Sequence, residues 1–301
     1  MGHRVDEARA YRRLQQRLDR FLTGAPASPT FTKILELLFS PEEAELARRL
    51  PSRPTPVGTL AERLGLPADE LEGRLGQMAR RGVVLDVERN GERYFALPPV
   101  VIGFFEFVFM RVREDVPQGE LARLFERYMT ESERFARAVF GGETPLARSL
   151  AHEPALPEGE ATEILAWERA SEVVGSATAV GVSICACRHK ASHLGTACDR
   201  PFEMCLTLNY AAEAAAGMGA ARLVSNAEGL RLLEEARDAG LAHTADNVQR
   251  QVTFVCNCCP CCCGFMQAIR GLAVRNAVAT SNWLGAIDPE ACRGCGRCVE
   301  A

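Results

Sequence analysis

Between residues 31 and 97 the spacing of apolar side chains changes from the period of a helix to the period of a strand. Apolar residues recur every three or four positions through residues 59–66 and again through residues 67–82, which predicts two short amphipathic helices. Two alternating runs follow, and Asn90-Gly91 between them is the dipeptide preferred in two-residue hairpin turns. The pattern therefore predicts helix, turn, helix and β-hairpin, in that order.

This order of elements resembles the winged-helix domains of bacterial regulators of the MarR and ArsR type, and it assigns residues 1–97 to a winged-helix-like domain. The resemblance implies DNA as a partner. The second helix, however, begins with Asp69, Glu70 and Glu72, and residues 55–97 hold six arginines against seven acids. Since affinity for DNA comes from neutralising phosphates, this charge favours a protein-contact or dimerisation module, and DNA is the less favoured partner.

Residues 98–160 are predicted to form a helical connector and a linker. Residues 100–110 are so rich in apolar side chains that we expect them to be buried against the winged helix or in a homodimer interface formed by the N-terminal half. Residues 118–140 show the helical period of apolar positions, and a pair of glycines ends that helix. The proline-containing dipeptides that follow predict an extended linker.

Helix-like and strand-like patterns alternate through residues 161–286, which predicts a cysteine-rich α/β metal-binding domain. Helices are predicted at residues 164–174, 203–218 and 226–239, and strands at residues 177–187, 221–225 and 252–256. We expect Asn226 to cap the last of these helices. The predicted fold class is therefore an α+β multidomain protein with an N-terminal winged helix and a central α/β domain.

Composition and charge place the chain among soluble proteins. It has 301 residues, of which 47% are hydrophobic and 25% are charged, with a net charge of −4. The N-terminus carries charges where a secretory segment would be apolar, and the longest apolar stretch contains Glu106. We therefore expect a cytoplasmic protein without membrane association.

Cysteines dominate the candidate chemistry. The three groups of cysteines are Cys185, Cys187, Cys198 and Cys205; Cys256, Cys258, Cys259, Cys261, Cys262 and Cys263; and Cys292, Cys295 and Cys298. In a reducing compartment, clustered cysteines favour metal binding over disulfide formation, and thirteen, an odd number, fits disulfide pairing poorly. All thirteen are therefore candidate metal ligands.

The C-terminal group has the most specific spacing. Two residues separate Cys292 from Cys295, and two separate Cys295 from Cys298. Each pair of intervening residues includes a glycine, which lets the backbone wrap closely. This spacing resembles the bacterial ferredoxin motif, and the resemblance implies that the three thiolates hold a [4Fe-4S] cluster. The motif's fourth cysteine would fall at position 302, so residues 287–301 are interpreted as the start of a truncated ferredoxin-type domain of a longer natural protein. A zinc-ribbon half or an unligated tail is the alternative.

The upstream group contains four thiols, the number that either a cubane cluster or a tetrahedral zinc ion requires. Arg188, His189 and Lys190 lie directly beside Cys187, and we expect them to contribute positive charge at the cofactor. For His189 and His193, a position outside the ligand shell is favoured over ligation. Because the predicted strands end at these cysteines, Cys185 and Cys187 are expected to approach the cysteines that follow residue 255.

The six-cysteine segment, residues 256–263, has more thiols than one four-ligand site needs. We expect it to build a cluster site jointly with the upstream group. The alternative is a separate cluster that leaves spare thiols for redox chemistry. A metallothionein-like metal store is disfavoured, since the segment lies inside a patterned α/β domain.

Taken together, the Cys-x-Cys-Arg-His-Lys segment, the six-cysteine segment and the terminal motif resemble 4Fe-4S-binding proteins of anaerobic bacteria that combine a winged helix, a cysteine-rich middle domain and a ferredoxin module. The resemblance implies an iron–sulfur protein that transfers electrons to a redox protein partner or serves as an oxidoreductase component. Two alternatives stay open: a redox- or metal-responsive winged-helix regulator, and a zinc-thiolate structural protein. The chain has no glycine-rich nucleotide-binding fingerprint.

Overall fold

The computed structural model describes residues 6–151, 169–248, 250–279 and 287–296. Within these ranges the fold is mixed α and β, with thirteen α-helices and two sheets. The mixed content agrees with the α+β class, while the winged-helix and ferredoxin-type assignments stay predictions.

Three helices begin the described chain. They are α1 (Glu7–Leu18), α2 (Pro29–Leu38) and α3 (Pro41–Ala47). The side chains of Asp6, Ser28 and Ser40 each accept a hydrogen bond from a backbone N–H of the first turn, as helix caps do. Glu43 completes a capping box with Ser40, so these boundaries are fixed by local sequence.

The predicted helix, turn, helix and hairpin follow in the predicted order. The elements are β1 (Thr55–Pro56), α4 (Val57–Leu64), α5 (Ala68–Arg80), β2 (Leu85–Arg89) and β3 (Glu92–Ala96). The strands form an antiparallel sheet in the order β1-β3-β2. Asn90 and Gly91 both have positive φ, 53° and 77°, as a two-residue hairpin turn with the twist of the strands requires.

The connector contains one wide turn and three helices. The wide turn spans Val100–Phe104, and the helices are α6 (Phe105–Phe109), α7 (Gln118–Thr130) and α8 (Glu133–Phe140). The prediction of one helix over residues 118–140 is wrong, because the backbone at Ser132 is extended and separates α7 from α8. The predicted burial of the apolar run holds, since Phe104 and Phe109 are fully buried.

The second half of the chain forms one large sheet with helices around it. The strands are β4 (Ala147–Ser149), β5 (Val180–Ser183), β6 (Cys205–Leu208), β7 (Arg222–Val224), β8 (Ala242–Asp246), β9 (Phe254–Cys258) and β10 (Val278–Ala279). The helices are α9 (Ala170–Gly175), α10 (Ala186–His193), α11 (Tyr210–Gly217), α12 (Asn226–Asp238) and α13 (Gly264–Leu272). The strand order is β10-β4-β8-β9-β6-β5-β7, with every pair antiparallel except β10 and β4.

The structure corrects the predicted elements next to the cysteines. The strand predicted to reach Cys187 ends at Ser183, and Cys185 instead caps α10. The helix predicted over residues 203–218 begins only at Tyr210, because Leu206 and its neighbours pair with β5 and β9 as strand β6. In this segment the hydrogen bonds available from two neighbouring strands outweigh local helix propensity.

Two further predictions differ in detail. Ser225, not Asn226, caps α12, and the side chain of Asn226 instead donates to the carbonyls of Val174, Gly175 and Ala177. Residues 147–149 of the predicted linker form β4 and pair with β8. Of the helix predicted at residues 164–174, residues 164–168 lie outside the described part of the chain.

Two apolar cores hold the described residues together. The first contains the N-terminal helices and the connector, and it extends to Ala186 of α10 and Ala215 of α11. The second lies under the large sheet and includes Leu206, Leu232 and Val255. Since α10 and α11 reach the first core, the N-terminal half packs directly on these two helices, of which α10 carries Cys187.

Candidate metal centre

Four cysteine side chains converge at the exit of β9. The sulfur atoms of Cys198, Cys259, Cys261 and Cys262 all lie within 4.8 Å of one another. Cys198 and Cys259 are 3.7 Å apart, and Cys261 and Cys262 are 3.6 Å apart. Metal–sulfur bonds of about 2.3 Å in a tetrahedron place the sulfurs about 3.8 Å apart. This quartet could therefore hold a metal ion.

Two turns bring the quartet together. Gly195, with a φ of 70°, ends α10 in the left-handed conformation, and the chain after it leads to Cys198. On the other side, the backbone N–H of Cys263 donates to the carbonyl of Cys259 and closes a turn between β9 and α13. The quartet thus joins two segments that are distant in sequence.

The quartet has an uneven charge balance. Burial works to raise the pKa of Cys198, but the backbone N–H of Arg200 and hydrogen bonds from Cys261, Cys259 and Cys262 lower that pKa to about 7. Burial raises the pKa of Cys262 instead. One thiolate is therefore stabilised at the expense of its neighbours, and a divalent cation would supply the positive charge that four thiolates need.

Six other cysteines line an adjoining cavity of about 240 Å³, and Cys259 of the quartet lines it as well. They are Cys185, Cys187, Cys205, Cys256, Cys258 and Cys263. The cap and first turn of α10, the start of β6, strand β9 and the cap of α13 contribute them. As the strand ends predicted, the upstream cysteines and the six-cysteine segment meet, and both segments contribute to the quartet as well as to the cavity.

The six thiols are packed closely and are mostly kept neutral by their surroundings. Cys258 and Cys263 have their sulfurs 3.3 Å apart. Burial raises the pKa of Cys187 to about 12 and that of Cys185 above its usual range. Hydrogen bonds from the thiols of Cys256 and Cys263 lower the pKa of Cys258. Such thiols ionise when a metal replaces their protons, which is the chemistry of a buried thiolate site.

The opposite wall of the cavity comes from the N-terminal half. Pro98, Ile102 and Phe107 line it together with the carboxyl group of Glu106. This carboxyl accepts a hydrogen bond of 2.9 Å from the backbone N–H of Gly103. Burial raises the pKa of Glu106 to about 7, because the cavity wall shields its charge from solvent.

Ile102 gives this wall an unusual backbone. Its φ of 53° and ψ of 56° are left-handed, a conformation that is an outlier for a β-branched residue. Strained residues of this kind persist where the surrounding packing holds them, and they concentrate at functional sites. The strain therefore marks the same wall that carries Glu106.

Arg188 lies between the two groups of thiols. Its side chain is fully buried and lines the cavity. Nη1 donates to the carbonyl of Asn257 at 3.1 Å and to the sulfur of Cys259 at 3.7 Å, whereas Nε and Nη2 have no hydrogen-bond partner among the described residues. A buried guanidinium with two unpartnered nitrogen atoms fits an anionic occupant, so the donors present suit a metal–sulfur group in the cavity.

The other basic residues expected at the cofactor have partners in the connector. His189 donates through Nδ1 to the carbonyl of Phe109 at 2.7 Å. Lys190 forms an ion pair with Glu126 of α7. The ring of His193 lies 4.9 Å from that of His189. These side chains attach α10 to the N-terminal half.

The terminal motif is only partly described. Cys292 and Cys295 are exposed, and neither lines the cavity. Cys298 lies outside the described residues. The ferredoxin-type site predicted for these three cysteines therefore stays a prediction.

Two polar residues that the sequence analysis did not assign to the site help to build it. Asn257 is buried between Cys256 and Cys258, and its side chain bonds to the carbonyl of Met204 at 2.7 Å and to the ring of His243 at 2.7 Å. The other is Glu106. Its sequence signal is a single charge within an apolar run, and the signal for Asn257 is a polar residue between cysteines.

Among the described residues no helix is both long and apolar enough to span a bilayer. Comparisons of the sequence with protein-family models and with curated proteins, and a comparison with solved structures, find no match. The site must therefore be interpreted from its own chemistry.

Proposed function

We propose that this chain is an iron–sulfur redox protein that holds an iron–sulfur cluster in the six-thiol cavity and a single metal ion in the quartet Cys198, Cys259, Cys261 and Cys262. The observation that carries the proposal is the convergence of six thiols from four elements on one largely apolar cavity. A cluster bound there would accept and release single electrons, and a redox protein partner would supply or take them.

The composition of the cavity favours a cluster over one ion. Six thiols exceed the four ligands of a tetrahedral ion, and they surround a space of about 240 Å³. Arg188 would donate its free N–H groups to anionic sulfur, the type of hydrogen bond that adjusts the reduction potential of a cluster. The remaining wall would exclude water from the thiols.

The quartet favours a single ion, and this supports a structural zinc site as a second function of the same domain. The 3.6 and 3.7 Å sulfur separations suit one tetrahedral ion. A cubane spreads its four ligands over four irons and so places their sulfurs farther apart. A zinc-thiolate protein without iron is the alternative that these distances keep open.

Anaerobic purification with iron, zinc and sulfide analysis tests the proposal. We expect the wild-type protein to show broad visible absorption with iron and acid-labile sulfide, together with one equivalent of a quartet metal. Cys256→Ser should lose most of the iron and the absorption, whereas Cys262→Ser should lose the quartet metal and keep the absorption. Cys292→Ser, at an exposed cysteine outside both groups, separates these two centres from the cluster predicted for the terminal motif: it should leave the quartet metal unchanged, and any iron that it removes belongs to the terminal motif. A colourless protein that contains zinc and no iron would overturn the redox proposal.

The regulator alternative is less well supported by the surface charges. Arg74 pairs with Glu70, and Arg93 of the hairpin pairs with Glu72 and Asp86, so these two cations of the candidate DNA-binding elements already have acidic partners. We therefore expect no salt-dependent binding to duplex DNA, with or without bound metal. The N-terminal half is proposed as a contact surface for a second copy or a redox partner, in a cytoplasmic protein of an anaerobe.

A further inference from the structure

We infer that Arg188 is a hydrogen-bond bridge between the two centres, so that the metal in the quartet controls the reduction potential of the group in the cavity. The inference rests on the proposed function, because it requires an iron–sulfur group in the cavity. It goes further by joining two sites into one coupled unit through a single side chain.

The guanidinium has two edges that serve different neighbours. Nη1 donates to the sulfur of Cys259, a member of the quartet that also borders the cavity. Nε and Nη2 form the edge whose parallel N–H bonds arginine uses for bidentate binding of anions, and both atoms are buried without a partner. Since Arg188 lines the cavity, an anionic sulfur group in the cavity is the acceptor that this edge lacks.

A buried network fixes the position of the bridge. The carbonyl of Asn257 accepts from Nη1, and the side chain of Asn257 is itself held by Met204 and His243. No carboxylate pairs with Arg188 among the described residues. The sulfur atoms of the two centres are therefore the negative charges available to Arg188. The two centres share this one cation.

Sharing one cation gives the coupling a definite sign. A metal–tetrathiolate in the quartet is anionic and draws on the charge of Arg188. When the quartet is empty, that charge acts on the cavity alone, which stabilises the reduced, more negative state of the cavity group and raises its potential. Loss of the guanidinium charge should lower the potential.

A double-mutant cycle separates the bridge from a simple electric field. Cys261→Ser empties the quartet through its exposed member, which forms no hydrogen bond with Arg188 in the described part of the chain. Arg188→Lys keeps the charge but lacks the fork that reaches both centres. The potential is measured by redox titration followed by electron paramagnetic resonance.

In the wild-type background we expect Cys261→Ser to raise the reduction potential of the cavity group by about 59 mV. For one electron this corresponds to a change of about tenfold in the reduction equilibrium constant. In the Arg188→Lys background the same change should produce a third of that shift or less. Arg188→Gln should lower the potential and the iron content. Arg113→Gln is the matched control, since Arg113 is also buried but does not line the cavity.

Labelling with arginine that carries ¹⁵N only in the guanidinium gives a test that needs no substitution. The label is confined to the guanidinium because the backbone N–H of Arg188 itself donates to the cavity thiol of Cys185. Arg188 is the only arginine among the described residues that line the cavity. Pulsed electron paramagnetic resonance of the reduced wild-type protein should therefore show a nitrogen coupling from arginine. This readout remains valid if the Arg188 variants do not fold.

Three results would overturn the inference. If Cys261→Ser shifted the reduction potential equally in the wild-type and Arg188→Lys backgrounds, the quartet would act only through its electric field. If the arginine coupling were absent, the free edge of Arg188 would not contact the cavity group. Either result leaves the proposed function intact. Wild-type protein without iron would overturn the proposed function and the bridge together.

Discussion

Glu106 and Arg188 are the two charged side chains among the described residues that line the cavity. Arg188 has free donors, whereas the carboxyl of Glu106 is held by the N–H of Gly103. The sequence showed each as a charge in an unusual place, one in an apolar run and one beside cysteines. It could not show that both face the same space, because that depends on packing between distant segments.

The raised pKa of Glu106 predicts a pH dependence of stability. In the folded protein the pKa is about 7, against an ordinary value of 4.5, so folding favours the protonated form. The contribution of Glu106 to the free energy of unfolding should be greatest below pH 4.5 and fall as the pH rises to about 7, by at most about 3 kcal/mol. Urea unfolding at pH 5 and pH 7.5 measures this fall.

Glu106→Gln should remove most of the decrease in the free energy of unfolding between pH 5 and pH 7.5. Glutamine stays neutral over this range, while its side-chain oxygen still accepts a hydrogen bond from Gly103. Glu114→Gln, at an exposed acid, is the control and should leave the fall unchanged. An unaltered fall in Glu106→Gln would show that other groups cause it.

At the scale of elements, prediction succeeded where a side-chain pattern is strong. Helices α4 and α5 and the hairpin have clear apolar periods and turn residues, and the structure has them within a few positions. Prediction was wrong beside the cysteines, where β6 is a strand and α10 a helix. The segments that contain the candidate metal ligands lack the periodic apolar positions from which helices and strands are predicted. The local sequence therefore does not determine whether their backbone is helical or extended.

Two glycines in helices of equal length should respond oppositely to alanine. In α5 a Cβ at Gly73 would meet nothing within 4 Å, so Gly73→Ala should stabilise the protein by about 0.5–1 kcal/mol through helix propensity. In α12 a Cβ at Gly229 would lie 2.9 Å from Val174 and 3.1 Å from Val180.

Gly229→Ala should therefore destabilise the protein, by about 1–3 kcal/mol, because α12 must shift away from β5. Midpoints of urea unfolding compare the two variants directly. If both variants changed stability in the same direction, the close packing of α12 on the sheet would not be the deciding factor.

At the scale of the whole molecule, α10 connects the two halves. One side of this helix supplies Cys187 and Arg188 to the centres, while His189 and Lys190 bind the connector. The sequence identified these residues as a cofactor-related basic group but could not separate their roles, since four neighbours on one helix point to different surroundings.

Glu126→Gln should weaken the contact between the halves. The side chain of Lys190 is 8% exposed, and without the carboxylate its charge would be left in a mostly buried position. We expect a loss of about 1–3 kcal/mol in the free energy of unfolding and faster limited proteolysis of the connector. Glu120→Gln, an exposed acid on the same helix, should change neither. Equal effects of both variants would contradict this role of the ion pair.

The long sequence separation within the quartet constrains how the protein can be made. Cys198 and Cys259 are 61 positions apart, and the cavity needs Cys185 together with Cys263. A chain emerging from the ribosome therefore presents four of these thiols well before their partners exist. Metal delivery has to wait for the later cysteines, and during that interval the nascent thiols need protection from oxygen and from the wrong metals.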